Sequence, residues 1–367
     1  MGLTAGIVGL PNVGKSTLFN AITKAGALAA NYPFATIDPN VGVVEVPDYR
    51  FDKLIELVKP KKSIPSIFEF TDIAGIVKGA SKGEGLGNKF LSHIREVDAI
   101  VQVVRAFEDT NVTHVDGSVD PVRDIETINL ELIFADIEVV EKRIPKIEKK
   151  AQLKVDQDSV YEYKILKQIH ETLLADKPIR SINFNKDELA FIRNFNFLTL
   201  KPMLYVANIS EDEIADFSGN EYVKQIQEFA TNEGSEVVVI SAKIEAELSE
   251  LDDEEKIMFL EDLGVTEPGL DKLIKRSYFL LGLETYFTAG VQEVRAWTFK
   301  NGMKAPQCAG IIHTDFEKGF IRAETIKYDD FVQFNGEQGA KENGKMRLEG
   351  KDYVVQDGDI MHFLFNV

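Results

Sequence analysis

The segment Gly9–Thr17 constrains the fold of this 367-residue chain more than any other, because it reads G-L-P-N-V-G-K-S-T. It matches G-x-x-x-x-G-K-[ST], a loop that cradles phosphates when it joins a β-strand to an α-helix. A strand-like run precedes it at Thr4–Val8, and a helical pattern follows it at Ser16–Lys24. The sequence therefore predicts a P-loop domain of the α/β class with a mostly parallel sheet.

The residues of this loop have distinct expected roles. Gly9 and Gly14 let backbone N–H groups approach the phosphates, and the N-terminus of the following helix adds the positive end of its dipole. Lys15 is expected to reach the β- and γ-phosphate oxygens, and the Ser16 hydroxyl is expected to ligate Mg²⁺. The predicted nucleotide contacts in this loop are Asn12, Val13, Gly14, Lys15, Ser16 and Thr17.

A P-loop needs a second carboxylate on the magnesium side, at the end of a neighbouring strand. Asp72-Ile73-Ala74-Gly75 follows the strand-like run Ile67–Phe70 and matches the D-x-x-G element of GTPase-like proteins. Asp72 is expected to hold Mg²⁺ through water, and the Gly75 N–H to contact the γ-phosphate. Thr36 is a candidate for the remaining magnesium contact.

The attacking water has no obvious ligand in this sequence. Ile76 stands directly after D-x-x-G, where Ras-like enzymes place a glutamine, and an alkyl side chain cannot hold water. Asn12 is one alternative, because potassium-dependent relatives use an asparagine here to bind a monovalent cation. His114 is another, because it follows the strand-like run Ala99–Val104 on the side where a parallel sheet presents its ligand. An exposed loop histidine without a catalytic role is the competing interpretation of His114.

Base selection is predicted to lie after the strand-like run Met203–Ala207. Guanine-specific proteins carry Asn-Lys-x-Asp here, but this chain reads Asn208-Ile209-Ser210-Glu211. The lysine is absent and the acid is one methylene longer, so the acceptor geometry that selects guanine is degraded and adenine becomes possible. Ser241-Ala242 matches a third base-side element, and we predict base contacts from Asn208, Ile209, Glu211, Ser241 and Ala242.

Charge and cysteine content narrow the class of protein. The net charge of −18 argues against a non-specific nucleic-acid coat. Nineteen acidic and seven basic residues lie between Lys201 and Leu280, so most of the negative excess is there. The single Cys308 excludes an intramolecular disulfide, and no run approaches the ~18 uncharged apolar residues that a membrane span needs. We expect a protein of the reducing cytoplasm that does not contact membranes.

Three domains are predicted from the change in periodicity along the chain. The P-loop domain is expected to comprise residues 1–135 and 200–280, and residues 136–199 to form an inserted helical hairpin of the coiled-coil type. A smaller α+β domain is expected over residues 281–367, where short strand-like runs alternate with Gly and Asp turns.

One face of the predicted hairpin is basic. Lys142, Lys146, Lys149 and Lys150 fall at i, i+4, i+7 and i+8 of a helix. Such a stripe can match the phosphates of structured RNA, and an ordinary solvated surface is the alternative.

Together these motifs resemble the YchF, or Obg-like ATPase, family of P-loop proteins, and the resemblance spans nearly the whole chain. Besides the P-loop and D-x-x-G, it rests on Tyr32-Pro33-Phe34, on Gly83-Glu84-Gly85-Leu86-Gly87-Asn88 and on the Asn-x-x-Glu variant at Asn208. The resemblance implies a C-terminal TGS domain of the β-grasp type, Mg²⁺-dependent hydrolysis of ATP in preference to GTP, and water activation by His114. It also implies association with ribosomes, for which we expect the large subunit.

Two rival functions stay open at this point. A guanine-specific ribosome-assembly GTPase differs only in base choice. A non-enzymatic, nucleotide-gated scaffold is favoured by Ile76 and opposed by the intact set of Lys15, Ser16 and Asp72.

Overall fold

The structure is a computed structural model that describes residues 3–26, 40–74, 86–115 and 117–366. Thr36, Gly75 and Ile76, which the sequence analysis singled out, lie outside these ranges. Twelve strands are described: β1 (Thr4–Gly9), β2 (Val41–Glu45), β3 (Lys62–Ile64), β4 (Ile67–Asp72), β5 (Ala99–Arg105), β6 (Met203–Asn208), β7 (Glu236–Ile240), β8 (Leu283–Ala289), β9 (Glu293–Lys300), β10 (Phe320–Lys327), β11 (Arg347–Glu349) and β12 (Asp359–Phe365).

The helices alternate with the strands in the first part of the chain and form a long pair in its middle. Those described are α1 (Lys15–Gly26), α2 (Tyr49–Val58), α3 (Leu86–Glu96), α4 (Pro121–Gln152), α5 (Gln157–Leu174), α6 (Lys186–Ile192), α7 (Glu221–Glu233), α8 (Ala242–Leu248), α9 (Asp253–Asp262), α10 (Gly269–Leu280), α11 (Ala305–Ile312), α12 (Thr314–Lys318), α13 (Tyr328–Gln333) and α14 (Glu337–Glu342). None of the described helices is long and apolar enough to cross a membrane.

The first sheet has the strand order β2-β4-β1-β5-β6-β7. The pairs β1/β4, β1/β5, β5/β6 and β6/β7 are parallel, which confirms the predicted sheet. Its central strands β5 and β6 are buried along their whole length, as expected for strands covered on both faces. The register places Ile7 opposite Asp72, and Asn208 opposite both Arg105 and Ile240. The carboxyl ends of the strands therefore meet at one edge, where open α/β sheets bind ligands.

Helices α4 and α5 pack against each other as the predicted hairpin. The side chains that they bury share an apolar core that includes Ile133, Val140, Ile147, Ile165, Leu166, Ile169 and Leu173. The predicted domain boundary after residue 135 falls inside α4, which starts at Pro121 after the N-cap Asp120 and continues without a break. The first helix of the hairpin is thus continuous with the P-loop part of the chain.

Asp136 connects the first helix of the hairpin to the segment that follows the hairpin, at Leu198 and Thr199. Its carboxylate accepts hydrogen bonds from the Leu198 N–H at 2.9 Å, the Thr199 N–H at 2.8 Å and the Thr199 hydroxyl at 2.7 Å. Burial raises the pKa of Asp136 to about 6, against the opposing effect of these hydrogen bonds.

The described chain divides into two compact units, residues 1–43 with 69–273, and residues 44–68 with 274–367. In the second unit the strand order is β11-β10-β12-β8-β9-β3. The short strand β3 pairs in parallel with β9, and helix α2 buries Phe51 and Leu54 in a core with Phe287. The segment 44–68, which the sequence analysis assigned to the P-loop domain, therefore packs with the C-terminal sheet. The three-residue strand β3 was not predicted, and local patterns do not specify which sheet a short strand joins.

Candidate nucleotide site

The P-loop follows β1, and its backbone conformation requires glycine at positions 9 and 14. Gly14 has φ +94°, and a Cβ there would collide with the Asn208 side chain. A Cβ on Gly9 would lie 2.8 Å from Val13 Cγ2 and 3.0 Å from the Val103 carbonyl oxygen. Asn12 also has a positive φ of 64°, a conformation that asparagine tolerates better than most residues. The loop can therefore present its N–H groups at the start of α1.

Lys15 and Asp72 are brought together, although 57 positions separate them in the sequence. The Lys15 ammonium pairs with the Asp72 carboxylate, and their side chains are 11% and 26% exposed. Ser16 follows in the first turn of α1 and is exposed. A hydroxyl and a carboxylate are the hard oxygen donors that Mg²⁺ prefers, so this donor set fits the ion. In the described ranges, no group of three or more His, Cys, Asp or Glu side chains could hold a metal without other ligands.

Asn208 links the P-loop to the base-side turn rather than projecting into open space. Its Nδ2 donates to the Val13 carbonyl at 2.8 Å, and its Oδ1 accepts from the Ala242 N–H at 2.9 Å. Only 4% of the residue is exposed. The sequence motif predicts a base contact for Asn208, and in the structure this residue joins β6, the P-loop and the turn at Ser241 and Ala242.

Glu211 and Lys243 form an ion pair at the mouth of the site. The distance from Lys243 Nζ to Glu211 Oε1 is 2.5 Å, and the hydrogen bond that Lys243 donates to Glu211 raises the pKa of Lys243. Ile209, by contrast, is 2% exposed. Glu211 thus pairs with a lysine of the next base-side segment. This ion pair was not predicted from the sequence.

A cavity of about 510 Å³ is bordered by the P-loop and these base-side segments. The predicted residues that line it are Asn12, Gly14, Thr17, Asn208, Ile209, Glu211, Ser241 and Ala242. A third wall was not predicted and comes from the loop after β5, with Phe107, Glu108, Asp109 and Val112.

The buried Arg105 shapes this third wall. Its guanidinium donates to the carbonyl oxygens of Phe107 at 3.0 Å, Val112 at 2.9 Å and Asp109 at 3.3 Å. It also lies 4.5 Å from the centre of the Phe107 ring, within cation–π distance. Arg105 is 2% exposed. An arginine that ends a strand with Gln102 as its only other polar residue was the sequence signal for this wall, because a buried guanidinium requires several acceptors.

His114 is buried, not exposed. Its Nε2 lies 2.8 Å from Asp124 Oδ2, and the two side chains are 4% and 3% exposed. It borders a second cavity of about 540 Å³, which shares Glu108, Asp109 and Val112 with the first. Asn12 reaches the same loop, since its Nδ2 donates to the Thr113 carbonyl at 3.1 Å. The interpretation of His114 as an exposed loop histidine is therefore wrong.

The four lysines of the predicted basic face are exposed on α4. Lys142 pairs with Glu138 one turn earlier. The neighbouring Arg143 makes two hydrogen bonds to Glu162 of α5, at 2.5 and 2.9 Å, and so belongs to the hairpin's own contacts.

Comparison with known proteins agrees with this architecture. Residues 4–140 match the MMR_HSR1 family, described as a 50S ribosome-binding GTPase, and residues 283–366 match YchF-GTPase_C, described as a protein of unknown function. The "Ribosome-binding ATPase YchF" of Bacillus subtilis is 68% identical over 367 residues, and that of Haemophilus influenzae is 58% identical, with full coverage of both chains in each case.

One solved structure is similar over almost the whole chain. It is titled "Structure of the Schizosaccharomyces pombe YchF GTPase", is 42% identical and has a TM-score of 0.89. The alignment covers 99% of this chain and 97% of that chain.

Proposed function

The chain belongs to the YchF family, and from this premise we propose that it is an Mg²⁺-dependent ATPase that acts as a nucleotide-gated switch on ribosomes. The observation that carries the proposal is the position of the Lys15–Asp72 pair and the base-side segments at one edge of a parallel sheet. A triphosphate lying along this edge would place its charge at the P-loop and its base in the cavity near Glu211.

On the phosphate side, Lys15 would exchange part of its pairing with Asp72 for the β- and γ-phosphate oxygens. Ser16 and Asp72, with Thr36, would hold Mg²⁺, with Asp72 acting through water. When bound, Mg²⁺ supplies positive charge that offsets the charge developing on the transferred phosphoryl group. Backbone N–H groups from Val13 to Thr17 would complete the cradle.

On the base side, the proposed preference for ATP rests on Glu211. A guanine-selective carboxylate uses both oxygens to accept from guanine, whereas one Glu211 oxygen already accepts from Lys243. Asn208 bonds to Val13 and Ala242, so its proposed contribution to base selection is to position this wall of the cavity. The Phe107 side of the cavity offers an aromatic and apolar surface to any purine. The names of the relatives differ on this point, since the curated bacterial proteins are named ATPases and the S. pombe structure is titled a GTPase.

We propose two residues, Asn12 and His114, that would assist attack by water on the γ-phosphate. Asn12 uses its Nδ2 for the Thr113 carbonyl, which leaves Oδ1 as the atom that would ligate K⁺ near the γ-phosphate. His114 would act on the water, and because its Nε2 is engaged by Asp124, that nitrogen becomes available only when the imidazole turns away from Asp124. This burial also favours a second candidate function, a nucleotide-gated scaffold in which hydrolysis is incidental.

The proposed partner is the ribosome, through its large subunit, and the proposed contact to its RNA is the basic face of Lys142, Lys146, Lys149 and Lys150. The proposed location is the cytoplasm, where ribosomes are found. The expected binding is local, because the acidic remainder of the protein repels RNA elsewhere.

Lys15→Ala tests the phosphate side, and Lys24→Ala on the same helix is the matched control. We expect Lys15→Ala to lower ATP affinity or turnover by about tenfold to hundredfold, because hydrogen bonds to charged groups contribute roughly 1.5–3 kcal/mol. Turnover at the wild-type rate would overturn the P-loop assignment. Competition of ATP against GTP for a fluorescent nucleotide then tests the base side, and equal affinities would remove the argument for an ATPase.

A further inference from the structure

Helix α9 is an acidic helix that does not contribute to the core of its unit. Six acidic residues and one lysine lie between Asp252 and Asp262. None of the ten residues of α9 is buried, although four consecutive ones, at 257–260, are apolar. A globular helix normally buries its apolar side against a neighbouring element. The function proposed above does not account for this helix.

The helix is stabilised by its own termini. Asp252 accepts from the Glu255 N–H at 2.9 Å, and Glu255 accepts from the Asp252 N–H at 3.2 Å, which is a reciprocal capping box. At the other end, Gly264 has φ +67°, and Val265 donates to the Leu260 carbonyl at 2.9 Å. Caps at both ends hold the helical conformation locally, so the helix does not depend on burying Ile257 and Met258.

The exposed side of α9 combines apolar and acidic groups. Ile257 and Met258 are 59% and 66% exposed. Glu254 and Glu261 are also exposed and lie three or four positions away on either side, so the four side chains share one face. Single exposed apolar residues are ordinary on protein surfaces. Phe259 and Leu260 are half-buried, so the exposed apolar surface of α9 is that of Ile257 and Met258. Two such neighbours form a surface of the kind that a groove on another molecule covers.

The charge of this face identifies the occupant. Phosphates of RNA and of anionic lipids would be repelled by the acids around Ile257 and Met258. We infer that α9 is a second ribosome-contacting surface, which places Ile257 and Met258 in an apolar groove lined by Lys or Arg on a basic ribosomal protein. The inference rests on the proposed ribosome association, and it assigns the acidic helix α9 to protein, whereas the basic face of α4 is assigned to RNA.

The double substitution Ile257→Ser with Met258→Ser tests the apolar contact. We expect it to weaken co-sedimentation with purified ribosomes by at least about tenfold, which corresponds to about 1.4 kcal/mol. ATP hydrolysis without ribosomes should stay unchanged, because neither residue lines the nucleotide cavity. Leu174→Ser, at a site that is 60% exposed on α5, is the matched control and should bind like the wild type.

Cross-linking identifies the occupant directly. Cys308 is buried, so Met258→Cys introduces an accessible thiol that can carry a photoactivatable benzophenone. We expect an adduct with a basic ribosomal protein that survives RNase. An adduct only with RNA, with a second copy of this chain or with a segment of the same chain would overturn the inference.

The two proposals fail in different ways. If the wild type does not sediment with ribosomes, the proposed ribosome association is wrong and the inference about α9 is wrong with it. If the wild type and the double variant sediment equally well, only the inference is overturned, and the ribosome association stands.

Discussion

Asn208 lies where sequence motifs predict a base contact, and its side chain also holds together the segments that border the cavity. Both ends of its amide are used within the protein, one on the Val13 carbonyl and one on the Ala242 N–H. The motif predicted a contact at the carboxyl end of β6, and this end of the strand borders the cavity. The motif could not indicate that the Asn208 side chain reaches the Val13 carbonyl. This contact is possible because Gly14 has no Cβ, which would collide with the Asn208 amide.

We predict that Asn208→Ala weakens ATP and GTP binding by similar factors. The substitution leaves a buried carbonyl and a buried N–H without their partner, and each such group costs about 1–3 kcal/mol. The free energy of unfolding should fall accordingly, while Ser210→Ala nearby should change it little. Affinities for both nucleotides and urea unfolding curves measure the two effects. A loss confined to one nucleotide would show that Asn208 reads the base directly.

The pair of His114 and Asp124 leads to a second prediction at this scale. Asp124→Asn replaces a charge-assisted hydrogen bond with a neutral one, so it should release the imidazole more often. If His114 acts on the water, ATP turnover should rise a few-fold at unchanged ATP affinity. His114→Ala should lower turnover, and adding Asp124→Asn to it should have no further effect on turnover. A rise that persists without His114 would contradict the proposed role of the histidine.

At the scale of elements, the sequence was informative where one strand or helix carried its own signal. The P-loop, the parallel strands around it and the helical hairpin were all predicted from local patterns. The assignment of residues 44–68 to the P-loop domain was not reliable, because β3 has three residues and its partner β9 lies more than 200 positions later. The wall held by Arg105 was missed for a related reason, since its hydrogen bonds go to backbone carbonyls, which carry no sequence signature.

Glu245 connects two elements on the base side. It follows the Ser241–Ala242 turn on α8, and its carboxylate accepts from the Gly269 N–H at 2.8 Å, at the start of α10. Burial raises the pKa of Glu245 from 4.5 to about 7, and the hydrogen bonds from Leu270 and Gly269 oppose that rise. The folded protein therefore binds a proton here more tightly than the unfolded chain does.

From this shift we predict a signed pH dependence. Because the folded-state pKa is the higher one, Glu245 should lower the free energy of unfolding as pH rises from about 4.5 to about 7. The slope from this group is at most about 1.4 kcal/mol per pH unit. Glu245→Gln keeps an acceptor oxygen and should flatten that part of the profile, while Glu247→Gln on the same helix should not. Unfolding measured across this range compares them, and parallel profiles for wild type and Glu245→Gln would contradict the predicted shift.

Acidic and basic residues are concentrated in different stretches of the chain. The acidic excess lies mainly between Lys201 and Leu280, whereas the basic face lies on α4. Both regions were predicted from the sequence, because the charge of a segment can be counted without knowing the fold. The exposure of the four lysines and the pairing of Arg143 with Glu162 needed the structure, since a helical stripe can equally well form contacts within the hairpin.

The last prediction tests whether the basic face binds RNA. Replacing Lys142, Lys146 and Lys149 with Glu should weaken association with ribosomes, because three ammonium groups no longer displace counterions from phosphates. The magnitude of the slope of log affinity against log salt should fall by about 2–3, since each phosphate contact contributes about 0.9. A control with Lys53, Lys224 and Lys341 replaced by Glu changes the net charge equally but leaves the α4 face intact. It should keep the wild-type slope, and ATP hydrolysis without ribosomes should be the same in all three proteins. If both triple variants lose affinity to the same extent, the effect comes from net charge, and the lysines of α4 are only a solvated surface.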